Sequence, residues 1–86
     1  MPKMVLKDFW APWCQPCRQM APVLDQLQQE FPDLVIEKLN IDTDEIKTAN
    51  YGVMSLPTFV IEKDDKEVKR FVGVIPKEDL VKALWV

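Results

Sequence analysis

Cys14 and Cys17 are the only cysteines of the 86-residue chain, and two residues separate them. Thiols this close can cycle between a dithiol and a disulfide, which is two-electron redox chemistry. A helix beginning at Cys14 would set both on one face, with Cβ atoms about 5–6 Å apart. A modest side-chain rotation closes that gap to bonding distance. As the exposed first residue of such a helix, Cys14 would meet unpaired N–H groups and the positive end of the helix dipole, both of which favour a thiolate. Cys17, one turn in, would be shielded. One thiol is then placed to attack and the other to resolve. The competing readings are half of a zinc site and a pair of incidental core cysteines. Structural zinc takes four ligands, and the chain has no histidine, so a metal would need carboxylates or a second chain. No metal and no cofactor are expected.

Other residues stand out beside this pair. Asp8 falls inside an apolar stretch, where a carboxylate is costly unless it has a partner or a task; the plainer reading is a strand end in solvent. Lys38 is the only charge on its side of the second apolar stretch, beside Ile36. It is either a counter-charge to a buried acid or a surface lysine reaching water. Trp13, immediately before Cys14, offers a flat apolar platform for varied peptides. Gly73 allows close backbone approach. Ile41, Val72 and Val74 are either docking surface or plain core. Trp10 and Trp85 read as packing.

These residues need elements to position them. Val5–Trp10 reads as a buried strand, apolar on both faces except at Lys7 and Asp8. A helix follows, with Pro16 in its first turn, where a missing N–H costs nothing. Cys17, Met20, Ala21, Leu24, Leu27 and Phe31 form its inner stripe, and Arg18, Gln19, Asp25, Gln26 and Gln29 its outer face. Pro22 is expected to kink it and Pro32-Asp33 to stop it. Leu34–Ile41 is a second strand, parallel to the first because the crossover is helical. Asp42 is expected to cap a short helix, with Glu45 completing a capping box, and Gly52 to end it in a left-handed conformation. Val53–Leu56 is a loop. Thr58–Glu62 and Glu67–Val72 form a hairpin about the polar turn Lys63–Lys66. Pro76 opens a last helix with Leu80, Ala83 and Leu84 inward. Neither repeats nor linkers are present. Residues 1–86 read as one α/β domain in the order β-α-β-α-β-β-α.

The composition is that of a soluble globular protein, 48% hydrophobic and 29% charged. A net charge of −3 argues against nucleic acid, which demands clustered Lys and Arg. No apolar run reaches membrane-spanning length, and Lys7 and Asp8 interrupt any leader-like segment at the start. The expected setting is the cytoplasm, where paired cysteines are more often catalytic than structural.

Trp13-Cys14-Gln15-Pro16-Cys17, preceded by Asp8-Phe9-Trp10-Ala11, resembles the active-site segment of the thioredoxin family. Pro22, Lys38-Leu39-Asn40-Ile41-Asp42, Tyr51-Gly52-Val53, Leu56-Pro57-Thr58 and Val72-Gly73 extend the resemblance from Val5 to Leu84. It implies a minimal thioredoxin fold, a four-stranded mixed sheet with helices on both faces, without the further N-terminal strand and helix that thioredoxins usually carry. It implies a reductase of protein disulfides working through Cys14 and Cys17. Asp8 would accept the proton of Cys17, Lys38 would pair with Asp8, and a cis Leu56–Pro57 bond would lie opposite the dithiol. Trp13, Ile41, Leu56, Pro57, Val72, Gly73 and Val74 would form the docking surface. The implied partners are thioredoxin reductase or a similar flavoprotein and disulfide-bearing proteins, met as a monomer. Gln15 departs from the usual glycine and bears on potential and partner choice. The hairpin turn also lacks its usual glycine. Two alternatives stand beside this one: a glutathione-dependent glutaredoxin, disfavoured by Gln15-Pro16 and by the lack of a Gly-Gly pair after the hairpin, and a binding module or cluster-bridging dimer.

Overall fold

The computed structural model describes residues 3–85. Strand β1 (Met4–Trp10) turns into helix α1 (Gln15–Glu30), followed by β2 (Val35–Asn40), α2 (Glu45–Asn50), β3 (Thr58–Lys63), β4 (Lys66–Val72) and α3 (Lys77–Leu84). The strands form one mixed sheet in the order β2-β1-β3-β4. β1 and β2 are parallel, as a helical crossover requires, and β3 is antiparallel to both its neighbours. β1 is therefore an inner strand covered on both faces, which accounts for its nearly continuous apolar run.

On one face of the sheet Leu6, Phe59 and Ile61 meet Met20, Leu24 and Leu27 of α1 and Leu80 and Leu84 of α3. On the other face Phe9, Leu39 and Val60 are covered by Ile41, Tyr51, Val53 and Leu56. Those covering residues flank α2, which buries none of its own. The buried positions of α1 are Cys17, Met20, Leu24 and Leu27. Ala21, expected among them, is exposed: the spacing of those four already completes one helical stripe, and residue 21 falls at its margin.

Asp42 does not cap α2. Asn40 Oδ1 accepts the Asp42 N–H at 2.9 Å, and the Asn40 carbonyl accepts the N–H groups of Thr43 and Asp44 at 3.1 and 2.8 Å. These local bonds hold residues 40–44 in a turn of their own, so the helix starts after Asp44, whose side chain makes no capping bond. Its far end follows expectation. Gly52 has φ +64°, its N–H reaches the Ala49 carbonyl, and the Val53 N–H reaches the Thr48 carbonyl.

The β3–β4 turn places Asp64 and Asp65 at φ 52° and 68°, as a two-residue type I′ turn requires. Further along the hairpin Ile61 pairs with Lys69 and Glu62 with Glu67. That skip leaves Val68 as the extra residue of a bulge in the edge strand.

Candidate active site

The turn Ala11–Trp13 leads into α1 with Cys14 as N-cap in extended conformation, φ −89° and ψ 109°. The Cys14 N–H donates to the Ala11 carbonyl at 3.1 Å, and the Cys14 carbonyl accepts the Arg18 N–H at 3.3 Å. Arg18 also reaches back, its Nη2 donating to the Pro12 carbonyl at 2.8 Å. The Cys17 N–H donates to Cys14 Sγ at 3.2 Å. An N-cap acceptor takes one of the orphan donors of the first turn, and here that acceptor is sulfur. The two sulfurs are bonded, with Cα atoms 5.3 Å apart.

Exposure does not follow the expected split. Cys14 is 4% exposed and Cys17 8%, because they form a buried cluster with Ala11 against which Trp10, Ile41 and Leu56 pack. The asymmetry lies in direction. Cys14 opens on a groove of about 540 Å³ walled by Trp13, Ile41 and the loop from Val53 to Leu56. Cys17 opens on a separate cleft of about 200 Å³ shared with Asp8, Arg18 and Lys38.

Asp8 is 6% exposed, so it is not a solvated strand end. Burial pushes its carboxyl up to about 6, with the Lys38 charge pulling the other way. Asp8 and Lys38 are register partners on parallel strands. Lys38 itself is exposed, so it acts on Asp8 from the cleft rim.

Leu56 lines the groove, whereas Pro57, Val72, Gly73 and Val74 are not among its lining residues; the Leu56–Pro57 bond is cis, and the Pro57 carbonyl accepts the Gly73 N–H at 2.8 Å. Thr58 Oγ1 donates to the Ser55 carbonyl at 2.6 Å. Val72 and Val74 are 57% and 55% exposed, which removes the plain-core reading for both. Ile41 and Leu56 are half-buried and Pro57 is buried. Gly73 has φ +94°, and a Cβ there would meet nothing within 4 Å. The backbone angle, rather than crowding within the chain, therefore calls for glycine.

Trp13 and Trp10 were legible as platform and packing, but their contacts, and Met54, escaped sequence reasoning. Trp13 is exposed, and its Nε1 donates to Asp42 Oδ2 at 3.1 Å. The carboxylate expected to cap α2 thus orients the platform beside Cys14. Met54 is 96% exposed on the groove wall. Trp10 packs against the cluster of Ala11, Cys14 and Cys17, and its Nε1 is buried without a hydrogen-bond partner. For Met54 the only signal in the sequence was its place in the Val53–Leu56 loop; the Trp13–Asp42 bond joins residues 29 apart, which no local pattern pairs. Among the described residues no cluster of three or more His, Cys, Asp or Glu could hold a metal, and no helix is long and apolar enough to cross a membrane.

An N-capped Cys-x-x-Cys disulfide beside a cis-proline on a four-stranded mixed sheet defines a thiol–disulfide oxidoreductase. The Thioredoxin family model matches residues 1–85, and the chain belongs to that family. It is 50% identical over 78 residues to thioredoxin of Bacillus subtilis, covering 90% of this chain and 75% of that protein. It is 47% identical over 79 residues to thioredoxin of Alicyclobacillus acidocaldarius, covering 91% and 75%. The structure of Fasciola hepatica thioredoxin superposes with a TM-score of 0.89 at 38% identity, covering 96% of this chain and 79% of that one.

Proposed function

We propose that the chain reduces protein disulfides by a two-step exchange. The Cys14 thiolate attacks one sulfur of a substrate disulfide; an S–S bond forms between Cys14 and that sulfur, and the other substrate sulfur leaves as a thiolate. Cys17 then loses its proton to Asp8, through water in the cleft they share, and attacks Cys14 Sγ. The second substrate thiolate leaves, both substrate thiolates take protons, and the Cys14–Cys17 disulfide remains. Two electrons pass from this chain to the substrate. Lys38 tunes Asp8 toward the charged, proton-accepting form.

The observation that carries this reading is the N–H of Cys17 on Cys14 Sγ at 3.2 Å. The donor aims at the sulfur on which negative charge must rest, in the first turn of a 16-residue helix. Trp13, Ile41, Leu56, Pro57, Val72, Gly73 and Val74 serve as the docking surface. Leu56 offers its backbone to an extended substrate segment as a short added strand. The dithiol is restored by thioredoxin reductase or a similar flavoprotein. The protein works as a monomer, a single domain over residues 1–86, in the cytoplasm, where the reduced form is maintained.

Cys14→Ser is expected to abolish reduction of insulin disulfides, and Cys17→Ser to accumulate mixed disulfides resolvable by gel electrophoresis under non-reducing conditions. Full activity in Cys14→Ser would overturn the assignment. Comparing turnover supported by thioredoxin reductase with turnover supported by glutathione and its reductase separates this reading from the glutaredoxin one.

A further inference from the structure

The groove wall facing Cys14 runs from Val53 to Leu56 without helix or strand. Its place depends on how its ends are held. The far end is fixed by Thr58 on the Ser55 carbonyl and by Gly73 on the Pro57 carbonyl. The near end is Tyr51, held at several atoms from different elements. Its ring packs on Phe9, with centroids 5.5 Å apart. Its hydroxyl donates to Glu62 Oε2 at 2.5 Å. Its carbonyl accepts from Arg70 Nη1 at 2.7 Å.

Both holders are themselves fixed. Glu62 is a buried carboxylate of β3 with Lys7 Nζ at 3.5 Å, and Lys7 also bonds Glu37 at 2.8 Å. Arg70, on β4, sets Nε and Nη2 on the two oxygens of Glu67 at 2.9 Å each, leaving Nη1 free to reach across to Tyr51. A forked guanidinium anchored this way points its remaining donor in a defined direction. Burying charge on an inner strand to hold one tyrosine is costly unless that position matters.

We infer that Glu62 and Arg70 are positioning residues for substrate docking: through Tyr51 they set where the wall Val53–Leu56 stands relative to Cys14. The inference rests on the proposed disulfide-reductase reading. None of these groups touches the reacting sulfurs, so a misplaced wall weakens docking of a protein substrate without altering the exchange itself.

The test compares Arg70→Met, Tyr51→Phe and Glu62→Gln with the unaltered chain, using dithiothreitol as electron source. Insulin serves as protein disulfide and hydroxyethyl disulfide as a substrate too small to span the groove. For Arg70→Met and Tyr51→Phe, KM for insulin should rise roughly three- to tenfold with kcat unchanged. The rate with hydroxyethyl disulfide and the equilibrium with glutathione should not move. Glu62→Gln keeps an oxygen for the tyrosine hydroxyl and should retain the original KM. An unchanged insulin KM in the two disruptive variants overturns the inference. So does a parallel loss with both substrates, which would mark a purely structural role. Should Arg70→Met fail to fold, Arg70→Lys keeps the charge but loses the fork that aims Nη1 at the Tyr51 carbonyl and carries the same comparison, while Tyr51→Phe tests the Glu62 contact alone. Failure of the reductase reading is distinguishable, because the unaltered chain would then reduce neither substrate.

Discussion

Asp8 shows how a single residue links chemistry to stability. Its carboxyl is pushed up to about 6 by burial, which suits a group that must take a thiol proton near neutral pH. The same burial is a liability. Folded, Asp8 keeps its proton to a higher pH than it does unfolded. The folded state therefore binds more protons in the interval between, and stability falls as pH climbs from about 4 to about 6 and stays low above. A shift of about two units corresponds to about 3 kcal/mol. Asp8→Asn is accordingly expected to stabilise the oxidised protein by about 2–3 kcal/mol at neutral pH, with the gain vanishing below about pH 4. Urea unfolding across that range checks this; a gain that persists at low pH would mean burial is not its cause. The same variant should release mixed disulfides slowly, so stability is exchanged for turnover at one atom.

Elements show which parts of the design a sequence can carry. The stripe Cys17, Met20, Leu24 and Leu27, the strand β1 and the left-handed Gly52 were all readable, because each depends on residues within a turn or two of one another. Asp42 was misread because Asn40, two residues earlier, offers the backbone a competing turn. The exposure of Val72 was illegible because the edge position of β4 follows from sheet order rather than local pattern, and Val74 lies in the bend just beyond that strand. Likewise, Lys7 is a visible exception in an apolar run, but its partners Glu37 and Glu62 come from other strands. The hairpin gives a prediction at this scale. Asp65 occupies φ 68°, where a side chain is strained. Asp64, in contrast, is occupied: its carboxylate accepts the Lys3 N–H at 3.1 Å. Asp65→Gly should therefore stabilise the protein by about 0.5 kcal/mol, whereas the same change at Asp64 should not. Thermal unfolding of both variants compares them directly.

The molecule as a whole must open and close one bond while its docking surface stays put. The larger core, which joins the sheet to α1 and α3, contains neither sulfur. The cysteines pack in a small cluster of their own with Ala11. The bond ties residues three apart in sequence, and closing so short a loop removes little chain entropy, about 2 kcal/mol by the usual scaling. A domain stable by about 5–15 kcal/mol survives its loss. The difference in stability between the oxidised and reduced forms equals the difference in reduction potential between folded and unfolded dithiol. About 2 kcal/mol lowers the folded potential by about 40 mV. The Cys17 N–H acts in the opposite sense, because a thiolate at Cys14 gains more from that donor than a bonded sulfur does. The reduced protein is thus expected to unfold cooperatively in urea at a stability about 2 kcal/mol below the oxidised form. That gap should narrow as pH rises and Cys14 ionises, since the folded state favours its thiolate over the unfolded chain. Unfolding both forms over a pH series measures the gap and its slope. A reduced chain without a cooperative transition would make the disulfide a structural staple, and a gap indifferent to pH would remove the helix terminus from the account of how Cys14 is activated.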